Sequence, residues 1–190
     1  MSDKGYANPD LVWSADDLHD RLEDPSLCVV DTRPTHEYVA GHILGAQNLD
    51  LYGFSLNNTH EVAFNAFMWT CGYLLGSRGI GSDRRIVFYE NDSGMRAARG
   101  FWICEYLGHE DVHLLDGGLE AWKGTGYPLT TECPVPERAS FEARPVRERQ
   151  ISAEELKDSL GKEGFVVLDT RSDDEYYGRI ARAARAGAIP

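Results

Sequence analysis

The sequence predicts an α/β fold, a parallel sheet with helices on both faces, followed by an incomplete second copy of the same unit. Three observations predict it. Short apolar runs, typical of strands buried on both faces, alternate with segments of helical period. A stretch rich in Pro, Glu and Arg then interrupts this alternation, and motifs from the start of the chain recur beyond it. These observations divide the chain into a domain at 1–130, a linker at 131–150 and the beginning of a second domain at 151–190.

Composition narrows the classes of function. The chain has 190 residues, 42% of them hydrophobic, and a formal net charge of -12. Because nucleic-acid binding needs a basic surface, we expect no nucleic-acid partner. No apolar run is long enough to cross a membrane and the first ten residues are polar, so we expect no membrane partner and a cytoplasmic location. The four cysteines are widely spaced and match no metal-ligand pattern, and we expect neither a metal nor a cofactor.

The first elements follow from local signals. Ser14 is a predicted helix N-cap, and Leu18 and Leu22 form the inward face of the helix. The apolar run 27–31 predicts a buried parallel strand, and a short helix near Pro34 ends at Gly41.

Two elements precede the centre of the sequence. Residues 46–50 predict a short strand, and residues 62–76 predict an aromatic-rich helix beneath the sheet. We expect the aromatic side chains of this helix to be core residues and not a cofactor site. They are Phe64, Phe67, Trp69 and Tyr73.

A strand, a loop and a helix at 85–107 are the centre of the predicted site. The strand at 86–89 leads into a tight loop, and the helix that follows ends at Gly108. Backbone N–H groups at such a helix start can bind an anion. Glu90 or Asn91 stands at the mouth of the loop, where a thiol would complete a covalent site. The candidate loop comprises Glu90, Asn91, Asp92, Ser93, Gly94, Met95 and Arg96, and none of these residues is expected to be catalytic. A strand at 112–115, a turn at 116–118 and a helix at 119–123 complete the unit.

Beyond the linker the sequence starts again. Ser14 and the acidic residues after it recur at Ser152, and Asp31-Thr32-Arg33 recurs as Asp169-Thr170-Arg171, both 138 residues later. Residues 40–43 recur at 186–189, a separation of 146. At this separation the counterpart of Glu90 falls near position 236, so we expect the second copy to be truncated before its active-site loop.

These motifs resemble the rhodanese superfamily in its tandem two-domain form, the thiosulfate/3-mercaptopyruvate sulfurtransferases. Residues 29–46 resemble the N-terminal signature of the family, and residues 107–128, with Asp116-Gly117-Gly118 and Trp122, resemble its C-terminal signature. The resemblance implies a persulfide relay. A loop cysteine takes sulfane sulfur from a small anionic donor and passes it to a thiophilic acceptor.

The resemblance also implies a division of labour between the two copies. The N-terminal copy of tandem members usually carries an acid where the C-terminal copy carries cysteine, and Glu90 fits that position. The partners implied are the sulfur donor and the missing second rhodanese domain. Three arginines, Arg171, Arg179 and Arg185, are candidate anion contacts, although an ion pair at a helix end or on the surface is the more common role of such residues.

Two alternatives remain open at this point. The chain could be a stand-alone rhodanese-like binding or regulatory module. It could also be a pseudophosphatase, because Glu90 and Arg96 have the spacing of a Cys-x5-Arg phosphate loop.

Overall fold

The computed structural model describes residues 5–54, 56 and 59–180. The fold contains two compact units, of which the first ends at Gln150 and the second begins at Ile151. No helix in the described part of the chain is long and apolar enough to cross a membrane.

A five-stranded parallel sheet forms the centre of the first unit. Its strands lie in the order β1-β5-β4-β2-β3, so the longest strands are at the middle. The strands are β1 (Val12–Trp13), β2 (Leu27–Asp31), β3 (Gln47–Asn48), β4 (Arg85–Tyr89) and β5 (Val112–Leu115). The two-residue edge strand β1 was not predicted, since so short a pairing leaves no periodic signal.

Helices cover both faces of this sheet, which confirms the predicted fold class. They are α1 (Ala15–His19), α2 (Thr35–Ala40), α3 (Glu61–Ser77), α4 (Met95–Tyr106) and α5 (Gly118–Gly124). Alternate residues of β4 face opposite layers: Ile86 and Phe88 pack with α3 and α4, whereas Val87 and Tyr89 pack in the second cluster, with α1 and α5. This alternation explains why β4 is apolar at nearly every position.

The burial of the aromatic side chains on α3 differs in part from the prediction. Phe64 is buried and Phe67 is partly buried, but Trp69 is 70% exposed and Tyr73 is 52% exposed. The core interpretation was therefore wrong for these last two residues. The helix is apolar on every side, so its sequence pattern does not mark the face that points to solvent.

Residues 131–150, predicted as a linker, lie along the first unit. They form no helix or strand apart from a 3-10 turn at Arg147–Arg149. Their backbone N–H groups nevertheless bond to the first unit, from Ala139 to the carbonyl of Gly76 (3.0 Å) and from Arg144 to that of Leu107 (2.8 Å). These bonds place residues up to Gln150 in the first unit.

The second unit repeats the local structure of the first. Helix α6 (Ala153–Ser159) begins with a capping box at Ser152, as α1 does at Ser14, and α7 (Asp173–Tyr176) follows. Residues 165–168, the counterparts of β2, form no strand, and Val166 and Leu168 are more than 80% exposed. In the first unit, β2 lies between β4 and β3; no counterpart of either strand is present among the described residues of the second unit.

Candidate functional site: an anion cradle closed by a carboxylate

The candidate loop lies at the carboxyl end of the central strand. It leaves β4 after Tyr89 and enters α4 at Met95, with Gly94 as the N-cap residue. In parallel sheets this edge is where ligands bind, and a helix begins there with free N–H groups. The structure therefore places residues 90–96 where the sequence predicted them.

The backbone N–H groups of Arg96 and Ala97 at the start of α4 form a potential anion-binding site, here called the cradle. The side chain of Glu90 turns back into the loop and occupies this cradle. Its Oε1 accepts hydrogen bonds from the backbone N–H groups of Arg96 (2.9 Å) and Ala97 (3.2 Å). A side-chain oxygen bonded to these two positions acts as a helix cap, and its negative charge interacts favourably with the helix dipole. The site that could bind an external anion thus holds a carboxylate of the chain itself.

Two glycines make this arrangement possible. A Cβ at Gly94 would lie 2.6 Å from Glu90 Oε1, so only glycine leaves the carboxylate its place. Gly118 has a φ of +55°, and a Cβ there would lie 2.4 Å from the Glu90 carbonyl oxygen. The close approach allows the N–H of Leu119 to donate to that carbonyl (2.8 Å), which fastens the loop to the start of α5.

Three other polar residues of the loop have partners elsewhere in the unit. The guanidinium of Arg96 pairs with Asp50 (2.6 Å) and lies over the ring of Tyr52, so its charge is neutralised outside the cradle. Asn91 Nδ2 donates to Glu37 Oε2 (2.8 Å), and Ser93 Oγ accepts from the N–H of Gly117 (2.9 Å). The Asn91 side chain therefore lies outside the cradle, which the Glu90 carboxylate occupies.

A buried ionic cluster lies next to the start of the 90–96 loop. Asp31 and Arg33 are fully or almost fully buried and paired at 2.6 Å, and the hydroxyl of Tyr89 donates to Asp31 (2.7 Å). Burial and the Asp31 carboxylate strongly raise the pKa of Tyr89, which therefore stays a neutral donor. Arg33 also donates to the carbonyl of Gly41 (2.8 Å), so the cluster also holds the segment after β2.

No thiol occupies the mouth of the loop. Cys71 and Cys104 are buried in the core, and burial raises the pKa of Cys71 to about 11 and that of Cys104 further still. Cys28 is half-buried on β2, and Cys133 is exposed in the segment after α5. Cys28 and Cys104 thus contribute to the core, and Cys133 is a surface residue.

Two of the three candidate arginines of the second unit form ion pairs with nearby aspartates. Arg171 pairs with Asp169 at 2.6 Å, repeating the geometry of Arg33 and Asp31 on an exposed surface. Arg179 pairs with Asp174 at 2.9 Å. Arg185 lies outside the described residues.

A cavity that the sequence did not reveal lies beside the loop. It encloses about 410 Å³ and is lined on one side by Ser93, Gly94 and Met95, and on the other by Val12 and Leu115. Its lining is mostly apolar because Val12 of the edge strand β1 and Leu114 and Leu115 of the neighbouring strand β5 contribute to it. No sequence signal could locate it, since it forms between segments that only the tertiary fold brings together, the loop before α4 and the strands β1 and β5.

Comparison with known proteins relates this geometry to a family. The Rhodanese-like domain family matches residues 14–125. The chain is 33% identical to the sulfur carrier protein TtuD of Thermus thermophilus, over 98% of this chain and 69% of the relative. It is 31% identical to the thiosulfate sulfurtransferase of Azotobacter vinelandii, over 97% of this chain and 68% of the relative.

A solved structure shows the same fold. The crystal structure of SseA from Escherichia coli, described as having the rhodanese fold of 3-mercaptopyruvate sulfotransferases, matches 95% of this chain and 72% of its own chain with a TM-score of 0.77 at 21% identity. The matched relatives thus include thiosulfate sulfurtransferases, and the fold is shared with a 3-mercaptopyruvate enzyme. The chain therefore belongs to the rhodanese-like family.

Proposed function

We propose that the first unit is the non-catalytic copy of a two-domain thiosulfate/3-mercaptopyruvate sulfurtransferase. One observation carries the proposal: the Glu90 carboxylate occupies the two N–H groups that would otherwise stabilise a sulfur anion. A persulfide relay needs a thiolate at this place, activated by N–H groups and positive charge. A carboxylate bound there can stabilise the loop but cannot accept sulfane sulfur.

In this proposal, residues 151–190 begin the second rhodanese-like domain, whose cysteine performs the transfer. The repeated capping box at Ser152 and the repeated pair of Asp169 and Arg171 support the duplication. Its substrate is a small anionic sulfur donor, and Arg171, Arg179 and Arg185 are candidate contacts for it once the domain is complete. We place the protein in the cytoplasm, where reducing conditions keep all four cysteines as free thiols.

A thiosulfate:cyanide assay tests the proposal. The 190-residue chain should form no thiocyanate above the uncatalysed rate, whereas the Azotobacter vinelandii relative, assayed in parallel, provides the positive control. A longer polypeptide with a cysteine at the second counterpart of Glu90 should be active, and its Cys→Ser variant should not. Steady turnover by the 190 residues alone would refute the assignment.

A second candidate function, binding without catalysis, is favoured by the cavity beside the loop. With about 410 Å³ and a mostly apolar lining at Met95 and Leu115, it is large enough for a ligand or a partner side chain. This candidate requires a genomic reading frame that ends close to Pro190. A frame that continues through a complete second copy would exclude it.

A further inference from the structure

A second cleft lies on the surface of the first unit, away from the candidate loop. It is bounded by the carboxyl-terminal half of α3 and by residues 138–143, and it encloses about 320 Å³, at the lower end of the range for ligand sites. Its lining includes Trp69, Gly72, Tyr73, Gly76, Arg138 and Phe141.

The floor of the cleft exists because of a glycine. The N–H of Ala139 donates to the carbonyl of Gly76 (3.0 Å), and a Cβ at Gly76 would lie 2.7 Å from the Ala139 carbonyl oxygen. The backbone of 138–143 therefore lies directly against the helix at this point. The larger side chains of Trp69 and Tyr73 line one side of the cleft next to this contact, here called its wall.

This wall is an aromatic pair exposed to solvent. The rings of Trp69 and Tyr73 are nearly parallel, with centroids 5.9 Å apart and planes 15° apart. The Trp69 side chain remains 70% exposed. Flat aromatic molecules stack on such a surface in an offset arrangement, and indole presents the largest face of any side chain.

Arg138 supplies a positive charge at the same place. Its Nη2 donates to the Tyr73 hydroxyl (2.7 Å), and its guanidinium carbon lies 5.3 Å from the centre of the Tyr73 ring. Among the described residues it has no carboxylate partner within 4.0 Å, whereas Arg85 and Arg96 both pair with aspartates. Since a guanidinium has five N–H donors, most of the donors of Arg138 remain available to a ligand.

The charge of the whole protein limits the charge of that ligand. The net charge of -12 opposes the approach of multiply charged anions, while one unpaired guanidinium matches one carboxylate. We propose that this cleft binds a small aromatic carboxylate, which stacks on Trp69 and pairs with Arg138. The site is independent of sulfur transfer and does not rest on the proposed function.

The test is a titration of the 190-residue chain with 2-naphthoate, monitored by calorimetry or by saturation-transfer NMR. We expect saturable binding with a dissociation constant at or below about 1 mM, in line with the efficiency of ligands of this size. Arg138→Gln and Trp69→Ala should each weaken binding at least about five-fold. Neutral 2-naphthamide should bind the wild-type chain more weakly by a similar factor.

Arg144→Gln is the matched control, because Arg144 belongs to the same segment, is exposed and already pairs with Glu142 (3.0 Å). This variant should bind naphthoate as the wild type does. All the altered side chains are exposed, and unchanged thermal unfolding confirms that each variant is folded. The proposal is overturned by absence of saturation at 10 mM, by equal affinity for the amide, by tighter binding of 2-naphthyl phosphate, or by equal losses in Arg138→Gln and Arg144→Gln.

Discussion

Replacing Glu90 with alanine tests whether its carboxylate caps α4. In the wild type, Glu90 Oε1 accepts from the second and third N–H groups of the helix, at Arg96 and Ala97. Loss of a side-chain cap costs about 0.5–2 kcal/mol, and loss of a favourable charge at a helix start about 0.3–1 kcal/mol. We therefore expect Glu90→Ala to lower the free energy of unfolding by about 1–2 kcal/mol.

The matched variants separate the hydrogen bonds from the charge. Glu90→Gln keeps an acceptor oxygen and loses only the charge, so its loss should be the smaller, about 0.3–1 kcal/mol. Glu110→Ala removes an exposed glutamate whose side chain has no hydrogen bond to a described residue, and it should change stability little.

Urea unfolding, monitored by circular dichroism, measures these differences in the free energy of unfolding. For a unit of this size, the Glu90→Ala change corresponds to a decrease in melting temperature of about 2–8 °C. Amide exchange at Arg96 and Ala97 should also accelerate in this variant. Equal stabilities of Glu90→Ala and Glu110→Ala, with unchanged exchange at the two amides, would refute the capping geometry.

Three further predictions concern the supports of the loop and the core. Arg33→Met leaves the buried Asp31 carboxylate unpaired and should lower the free energy of unfolding by about 3 kcal/mol or more. Arg171→Met, in the exposed copy of the same pair, should have little effect on unfolding. Equal effects of the two substitutions would contradict the difference in burial. Gly118→Ala places a Cβ against the Glu90 carbonyl and should abolish the protection of the loop amides from hydrogen exchange. Unchanged protection would show that the turn accommodates the Cβ and would contradict this prediction. Burial raises the pKa of the Cys71 thiol from 9.0 to about 11, so the folded state holds this proton more tightly and stability should fall as pH rises from about 9 to 11. Cys71→Ala should show a shallower fall over that range, and an unchanged slope would contradict the burial of the thiol.

Local signals predicted most of the fold. The N-cap predicted at Ser14 forms, within a capping box that recurs at Ser152, because an N-cap serine with an acid three residues later satisfies backbone groups without help from distant residues. The strand at 86–89 was recognisable because both of its faces are buried. Elements defined by distant contacts were not recognisable: the short strand β1 depends on pairing with β5, and the exposure of Trp69 depends on which side of α3 meets the sheet.

The candidate site was predicted in position but not in conformation. The sequence located Glu90 at the end of the central strand and at the start of a helix, where an anion cradle was expected. It could not predict that the carboxylate itself would enter this cradle. That outcome depends on the room left at Gly94 and on the contact between the loop and Gly118, both of which are set by tertiary packing.

These 190 residues belong to the rhodanese-like family, and we propose that they carry no sulfur-accepting thiol at the loop. Mass spectrometry of the chain after incubation with thiosulfate, with and without cyanide, measures this directly. We expect no cyanide-sensitive gain of one sulfur atom on Cys28, Cys71, Cys104 or Cys133. A persulfide on any of these cysteines that forms and disappears at the rate of thiosulfate consumption would contradict it.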